Sequence, residues 1–191
     1  MADDVRLGGS ATLADGNDYV WSVADGGRGR RWRSIVRGRD GDLLDALVVE
    51  TGTNGPLIRF EAVAAAGLMT LHPNQAGSIL HGNVVEEAGI DHLTLEWSDD
   101  HALLSFDEPI LVAACLGRLR SEMPPGTERR VPVLYVDPVS LDLLPGDVVV
   151  TRTTPDGWRL VDPQDGLKRV FELDRAGVLV LPGEVRWPLE G

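Results

Sequence analysis

Short β-type runs separated by tight turns recur along most of the chain, and this repetition constrains the fold more than any other feature. Asp-Gly and Asn-Gly pairs, which favour hairpin turns, stand between several of the runs. The 22 glycines and 12 prolines are typical of a fold with many turns. The pattern predicts a mainly β fold, an antiparallel meander with strands at 19–23, 31–36, 43–50, 57–63, 68–71, 78–85, 90–97, 131–136, 147–153, 158–161, 167–173 and 178–181.

One segment has helical spacing instead. Val112, Cys115, Leu116 and Leu119 recur at i, i+3, i+4 and i+7, and Pro109 suits a first helical position. We therefore expect one or two short helices, the longest within residues 109–122. A meander of this length must curl to bury one face, so the prediction is a curled antiparallel sheet, an open barrel or β-roll, with a groove beside the helix.

Length and composition predict a single domain that spans residues 1–191, with a flexible N terminus in residues 1–17. The net charge of −12 provides no basic field, so a nucleic-acid partner is not expected. No apolar run reaches the length of a membrane-spanning helix, and none of signal-peptide length follows the acidic first residues. The single cysteine cannot form an internal disulfide. We expect a cytoplasmic monomer or homodimer.

Several segments of the C-terminal third are similar to a bacterial family of glycolipid-binding proteins. They are 131–137 (VPVLYVD), 139–141 (VSL), 157–160 (GWRL), 171–183 (FELDRAGVLVLPG) and 186–187 (RW), and residues 31–33 (RWR) resemble the opening of the family. Leu181 stands where the family has a tyrosine. The resemblance implies a fold like that of bacterial lipoprotein carriers, a curled sheet around an apolar groove, with a glycolipid as ligand. It assigns no site residue.

The four histidines lie within 30 residues, and two of them fall in one predicted hairpin. A loop at 86–89 places Asn83 opposite His92 and His81 opposite Thr94, on the face away from Leu80. This cluster is either a polar patch that binds a sugar or headgroup, or a solvated outer face. Imidazole can also hold a metal ion, but we assign neither a metal nor another cofactor to the chain.

Six arginines lie between residues 28 and 39 with no acid among them. Pairing across the Asp40-Gly41 turn places Arg31 opposite Glu50, and it puts Trp32 on the face away from Arg31 and Arg33. These arginines either bind an anionic headgroup, contact nucleic acid, or form an outer strand face that neighbouring acids neutralise. We include Arg31 and Arg33 with His81, Asn83, His92 and Thr94 as candidate ligand-binding residues.

No arrangement typical of a catalytic site is evident. Cys115 lies on the predicted apolar stripe of the helix, so we interpret it as a core residue rather than a nucleophile. Core packing is also predicted for the tryptophans in strand-like runs, which are Trp32, Trp97, Trp158 and Trp187. We predict a non-enzymatic binding protein for an amphiphilic or lipid-like ligand in the groove of the curled sheet. The alternatives are an enzyme that acts on an amphiphilic intermediate through the polar patch of His81 and His92, and a protein interaction module without a small ligand.

Overall fold

The computed structural model describes residues 5–53 and 55–189, and the predicted turn residue Asn54 lies outside them. Fourteen strands and one α-helix are found in that part of the chain. In chain order they are β1 (Arg6–Thr12), β2 (Asp18–Gly26), β3 (Gly29–Arg37), β4 (Leu43–Gly52), β5 (Leu57–Ala64), β6 (Gly67–Pro73), β7 (Ile79–Glu86), β8 (Gly89–Glu96), β9 (Ala102–Leu104), α1 (Pro109–Arg120), β10 (Glu128–Val136), β11 (Leu143–Arg152), β12 (Gly157–Val161), β13 (Lys168–Glu172) and β14 (Val185–Pro188).

Nine strands form one large antiparallel sheet in the order β14-β1-β2-β3-β4-β5-β6-β7-β8. Strands β1 to β8 are a meander, because each pairs with the next along the chain, and β14 pairs with the outer side of β1. The sheet is open, with β14 and β8 as its two edges, and it does not close into a barrel. The predicted mainly β fold with a large antiparallel sheet and a short helix is confirmed.

Side chains of the large sheet alternate between a buried face and an exposed face, as the two-residue period of a strand requires. On β3, Trp32 and Val36 are buried, whereas Arg31 and Arg33 are exposed. The buried face is lined mainly by large apolar side chains, among them Tyr19, Trp21, Val23, Trp32, Leu47, Val49, Phe60, Met69, Leu71 and Leu80. The large sheet therefore has one buried face and one exposed face.

Five strands form a second, smaller sheet in the order β13-β12-β11-β10-β9. Strand β9 pairs with β10 in parallel, and α1 connects them, because a parallel pair needs a crossover connection. The helix has a proline in its first turn and begins at Pro109 as predicted. The predicted stripe of Val112, Cys115, Leu116 and Leu119 is buried, so the helix prediction is confirmed.

The strand predicted at 178–181 is wrong. This segment forms a single bridge, between Leu179 and Leu173. The side chain of Asp174 accepts a hydrogen bond from the N–H of Val178, which closes a tight turn, and Pro182 has no N–H with which to extend a strand. Strands β1 and β9 were not predicted, whereas β14 contains Trp187, which was predicted to lie in a strand-like run.

The chain divides into two compact units. One runs to Asp99, includes Asp137–Asp142 and a C-terminal segment from Leu181, and contains the large sheet. The other comprises Asp100–Val136 and Leu143–Val180, and contains the small sheet and α1. The single-domain assignment stays a prediction. The flexible N terminus over residues 1–17 also stays a prediction: residues 1–4 lie outside the described part, and β1 pairs with a strand on each of its two sides. No helix in residues 5–53 or 55–189 has the length and apolarity that crossing a membrane requires.

Candidate functional site

The β7–β8 hairpin carries the predicted histidine cluster, and its strand register is as predicted. Asn83 pairs with His92, and His81 pairs with Thr94. Nδ1 of His92 lies 2.6 Å from Oδ1 of Asn83, within hydrogen-bonding distance. Because Leu80 lies on the buried face, these four side chains share the exposed face. The hairpin therefore presents a polar surface with both donor and acceptor groups.

A third histidine belongs to this surface and was not predicted. His72 on β6 pairs with His81, and the centroids of the two imidazole rings are 6.2 Å apart. Its placement depends on the β6–β7 register, which was not predicted. No group of three or more His, Cys, Asp or Glu side chains among the described residues could hold a metal ion.

The arginines of β3 also lie on the exposed face. Arg31 pairs with Glu50 as predicted, and their side chains form an ion pair. Arg33 is exposed, and it makes no ion pair within the described part of the chain. Strand β3 is four strands away from β7, which corresponds to about 19 Å at about 4.8 Å per strand. The structure therefore places both predicted groups on one face without bringing them into contact.

One row of paired residues joins Arg33 to the histidine hairpin. Starting at Arg33 on β3, the register runs through Val48, Glu61, Thr70 and Asn83 to His92 on β8. We call these six residues the polar row. Its side chains offer a guanidinium, a carboxylate, a hydroxyl, an amide and an imidazole, which are the groups that bind sugars and headgroups.

An adjacent row on the same face is mainly aliphatic and crosses the whole sheet. On β3 to β8 its side chains are two residues along the strand from the polar row, and seven of its nine side chains are between 37% and 63% exposed. We call this set of nine paired residues the apolar row: Val185, Ser10, Val20, Ile35, Ala46, Val63, Leu68, Val85 and Ile90. Across nine strands it is about 38 Å long. Large contiguous apolar patches on a protein surface mark interaction sites.

The apolar row was not predicted, because alternation within one strand does not show which outward residues align across a sheet. Val20 stands between the buried Tyr19 and Trp21, and Ile35 stands beside the buried Val36, so neither differs from a core residue in the sequence alone. Only the register shows that the outward residues of all nine strands align. Trp187 was also misassigned to the core: it is 39% exposed, whereas the core positions of Trp32, Trp97 and Trp158 are confirmed.

A pocket of about 440 Å³ lies at the end of the β2–β3 hairpin. It is lined by the hairpin turn and by parts of β4 and β5, and the charged residues among those that line it are Asp25, Arg28, Arg30, Arg31 and Glu50. Arg30 donates two hydrogen bonds to Asp25, from Nε at 2.5 Å and from Nη2 at 2.9 Å. The pocket therefore holds two ion pairs, Arg30 with Asp25 and Arg31 with Glu50, and one further arginine.

Asp25 is held in its charged form by its surroundings. Partial burial by itself would raise the pKa of its carboxyl group. Hydrogen bonds and the positive charge of Arg30, with a hydrogen bond from the N–H of Val5, outweigh that effect and lower the pKa below its ordinary value. This carboxylate therefore fixes Arg30 at the pocket.

Asp25→Asn is expected to lower the free energy of unfolding at pH 7 by about 1 kcal/mol, since the ion pair is partly exposed. Because the folded-state pKa lies below the unfolded value of about 3.9, this contribution is present above that pH and is lost as the pH falls further. Urea unfolding at pH 7, 5 and 3.5 measures it. The exposed Asp18→Asn is the control, and a difference for Asp25→Asn that does not shrink in acid would contradict the account.

Cys115 is a core residue, as predicted. Its side chain is buried in α1, and burial raises the pKa of the thiol to about 11 although Arg118 counteracts this. The thiol is therefore protonated at neutral pH, and it lacks the thiolate that a nucleophilic cysteine needs.

Comparisons with known proteins give one fold relationship. No family model matches the sequence, and the search of curated proteins finds no significant match. The crystal structure of a DUF1089 family protein from Pseudomonas aeruginosa is similar, with a TM-score of 0.52 and 14% sequence identity over 94% of this chain and 90% of that one. At this identity the likeness concerns the fold alone: the chain has a fold similar to that of a DUF1089 family protein.

Proposed function

We propose that this protein is a non-enzymatic binding protein for an amphiphilic or lipid-like ligand, bound on the exposed face of the large sheet. The observation that carries the proposal is the alignment of the apolar row beside the polar row across the sheet. An amphiphile has the same two parts, an apolar chain joined to a polar headgroup. A single orientation of an amphiphile on this face places its apolar chain along the apolar row and its headgroup beside the polar row.

The apolar row contacts the chain of the ligand. Burying a methylene group contributes about 0.8 kcal/mol, and a chain lying on an open face buries about half of its surface. Ten methylenes then contribute about 4 kcal/mol, which corresponds to a dissociation constant of about 1 mM before any cost of ordering the chain. Binding therefore also requires contacts to the headgroup.

The polar row and its neighbours supply those contacts. Arg33 is two residues from Ile35 along β3, and it has no ion-pair partner among the described residues. Asn83 and His92 stand beside Val85 and Ile90 in the same way. A guanidinium binds an anionic headgroup, and the amide and imidazole donate and accept hydrogen bonds with sugar hydroxyls.

Two further observations support an amphiphile. The resemblance of the C-terminal third to bacterial glycolipid-binding proteins implies a ligand with a sugar headgroup and an apolar chain. A net charge of −12 disfavours nucleic acid, whose binding depends on neutralising phosphates with cations.

The experiment compares two matched triple variants in binding anilinonaphthalene sulfonate, an anionic amphiphilic dye. Val20→Thr/Val63→Thr/Val85→Thr makes the apolar row polar at three exposed positions and keeps the β-branched shape that strands favour. Val139→Thr/Val170→Thr/Val180→Thr makes the same change at three exposed valines elsewhere. The first variant is expected to weaken dye binding about tenfold, because about 1.4 kcal/mol of apolar contact is lost, and the second to leave it unchanged.

Equal affinities of the two variants, or dye binding that does not saturate, would contradict the proposal. Loss of self-association in the first variant without any loss of dye binding would also contradict it, and would show that the face is a protein interface. Urea unfolding of both variants verifies that each remains folded.

A further inference from the structure

The arginine pocket at the end of the β2–β3 hairpin has the chemistry of an anion site. Three arginines and two acidic residues are among the residues that line it, so these charged residues are net positive in a protein whose net charge is −12. A volume of about 440 Å³ lies in the range of small-molecule sites, about 300–1,000 Å³. We propose that this pocket binds a phosphate-type anion, with Arg28 as the residue that contacts it directly.

Arg30 and Arg31 are already held in place before any ligand binds. Asp25 holds Arg30 through two hydrogen bonds, and the guanidinium of Arg30 lies 5.2 Å from the ring centroid of Trp32. Glu50 holds Arg31 through an ion pair. Binding an anion therefore costs little side-chain conformational entropy at these two arginines, because both are already ordered in the free protein. A guanidinium in a carboxylate pair still has further N–H groups with which to contact an anion.

Arg28 differs from these two arginines. It is exposed at the tip of the hairpin, and it forms no ion pair or hydrogen bond with any other described residue. Its planar group of N–H donors matches the oxygens of a phosphate, which accept such bonds in pairs. Arg28 can therefore fold over an anion held in the pocket without breaking a contact of the free protein.

The turn itself leaves space for a ligand. Arg28 stands between Gly27 and Gly29, and a Cβ atom built on Gly27 would meet no atom within 4 Å. Ile58, which also lines the pocket, is 43% exposed and offers an apolar contact at its side. The pocket thus suits a phosphate that belongs to a larger group. Its use as a headgroup site rests on the proposed function, whereas anion binding in itself does not.

Calorimetric titration of the full chain with inorganic pyrophosphate tests the anion site. Arg28→Gln is expected to weaken binding about tenfold, which is a typical effect of removing a hydrogen bond between charged groups. Arg175→Gln removes an exposed arginine outside the pocket, which likewise has no partner among the described residues, and is expected to leave the affinity unchanged. Arg28→Lys, which keeps the charge without the planar fork, should lie between them. No binding by the parent protein, or equal affinities of Arg28→Gln and Arg175→Gln, would overturn the proposal.

Vesicles distinguish the two sources of the anion. Sedimentation of the protein with vesicles of phosphatidylcholine alone or with added phosphatidic acid shows whether a lipid headgroup is bound. Arg28-dependent binding to the phosphatidic acid vesicles identifies a headgroup, and Arg28-dependent binding of pyrophosphate alone identifies a free phosphate compound. Both outcomes support the anion site. If the dye experiment fails while pyrophosphate binding depends on Arg28, the proposed function is wrong and the anion site stands.

Discussion

Leu80→Asp is expected to lower the free energy of unfolding by about 4 kcal/mol or more, whereas His81→Ala lowers it by less than about 1 kcal/mol. The two residues are neighbours on β7, and their side chains point to opposite faces of the large sheet. Leu80 is fully buried, so an aspartate there must either lose its hydration or take up a proton. His81 lies on the exposed face and loses only part of its contacts with His72.

Urea denaturation at pH 7 measures both free energies, and circular dichroism verifies that each variant begins with β structure. If Leu80→Asp proves too unstable to purify, Leu80→Ala is the milder substitute, with an expected loss of about 3 kcal/mol. Similar losses for the residue 80 variant and His81→Ala would show that the buried and exposed faces have been assigned wrongly. The candidate binding face would then be wrong as well.

Gly29→Ala is expected to cost about 2–3 kcal/mol and to distort the arginine pocket. Gly29 opens β3 with φ of 136°, which side chains other than glycine rarely adopt. A Cβ atom there would also overlap the carbonyl oxygen of Thr51 and backbone atoms of Gly52. The strand must then shift away from β4, and Arg30 and Arg31 shift with it.

Gly27→Ala in the same turn is the matched control. A Cβ atom on Gly27 meets open space, so the expected change in unfolding free energy is within about 0.5 kcal/mol. Urea denaturation measures stability, and pyrophosphate titration reports on the pocket. Equal stability of the two alanine variants would contradict the close approach of β3 to β4 at Gly29.

Local signals made part of this structure predictable. The β7–β8 register followed from a short loop and from alternating polar and apolar residues, and it placed Asn83 opposite His92. Arg31 opposite Glu50 followed from a tight turn in the same way. The helix followed from Pro109 and a stripe of four apolar residues. In each case, the residues that determine the structure are close in sequence.

Long-range pairing was not predictable from the same signals. Strand β14 pairs with β1 across almost the whole chain, and β9 pairs in parallel with β10 on the other side of a helix. No turn joins either pair, so neither register can be read from a loop. The apolar row and the arginine pocket depend on several registers together, which is why Arg31 and Arg33 were predicted as ligand-binding residues but neither Arg28 nor Val63 was.

Methyl NMR spectroscopy during a titration with dodecanoate shows directly whether the exposed face of the large sheet binds the chain of an amphiphile. We expect saturable shift changes at exposed methyl groups of the apolar row, above all at Val20, Ile35, Val63, Leu68 and Val85, with little change at the exposed Val139, Val170 and Val180. Shift changes confined to the latter three valines or to buried methyl groups, or no saturable change at all, would contradict the proposed function.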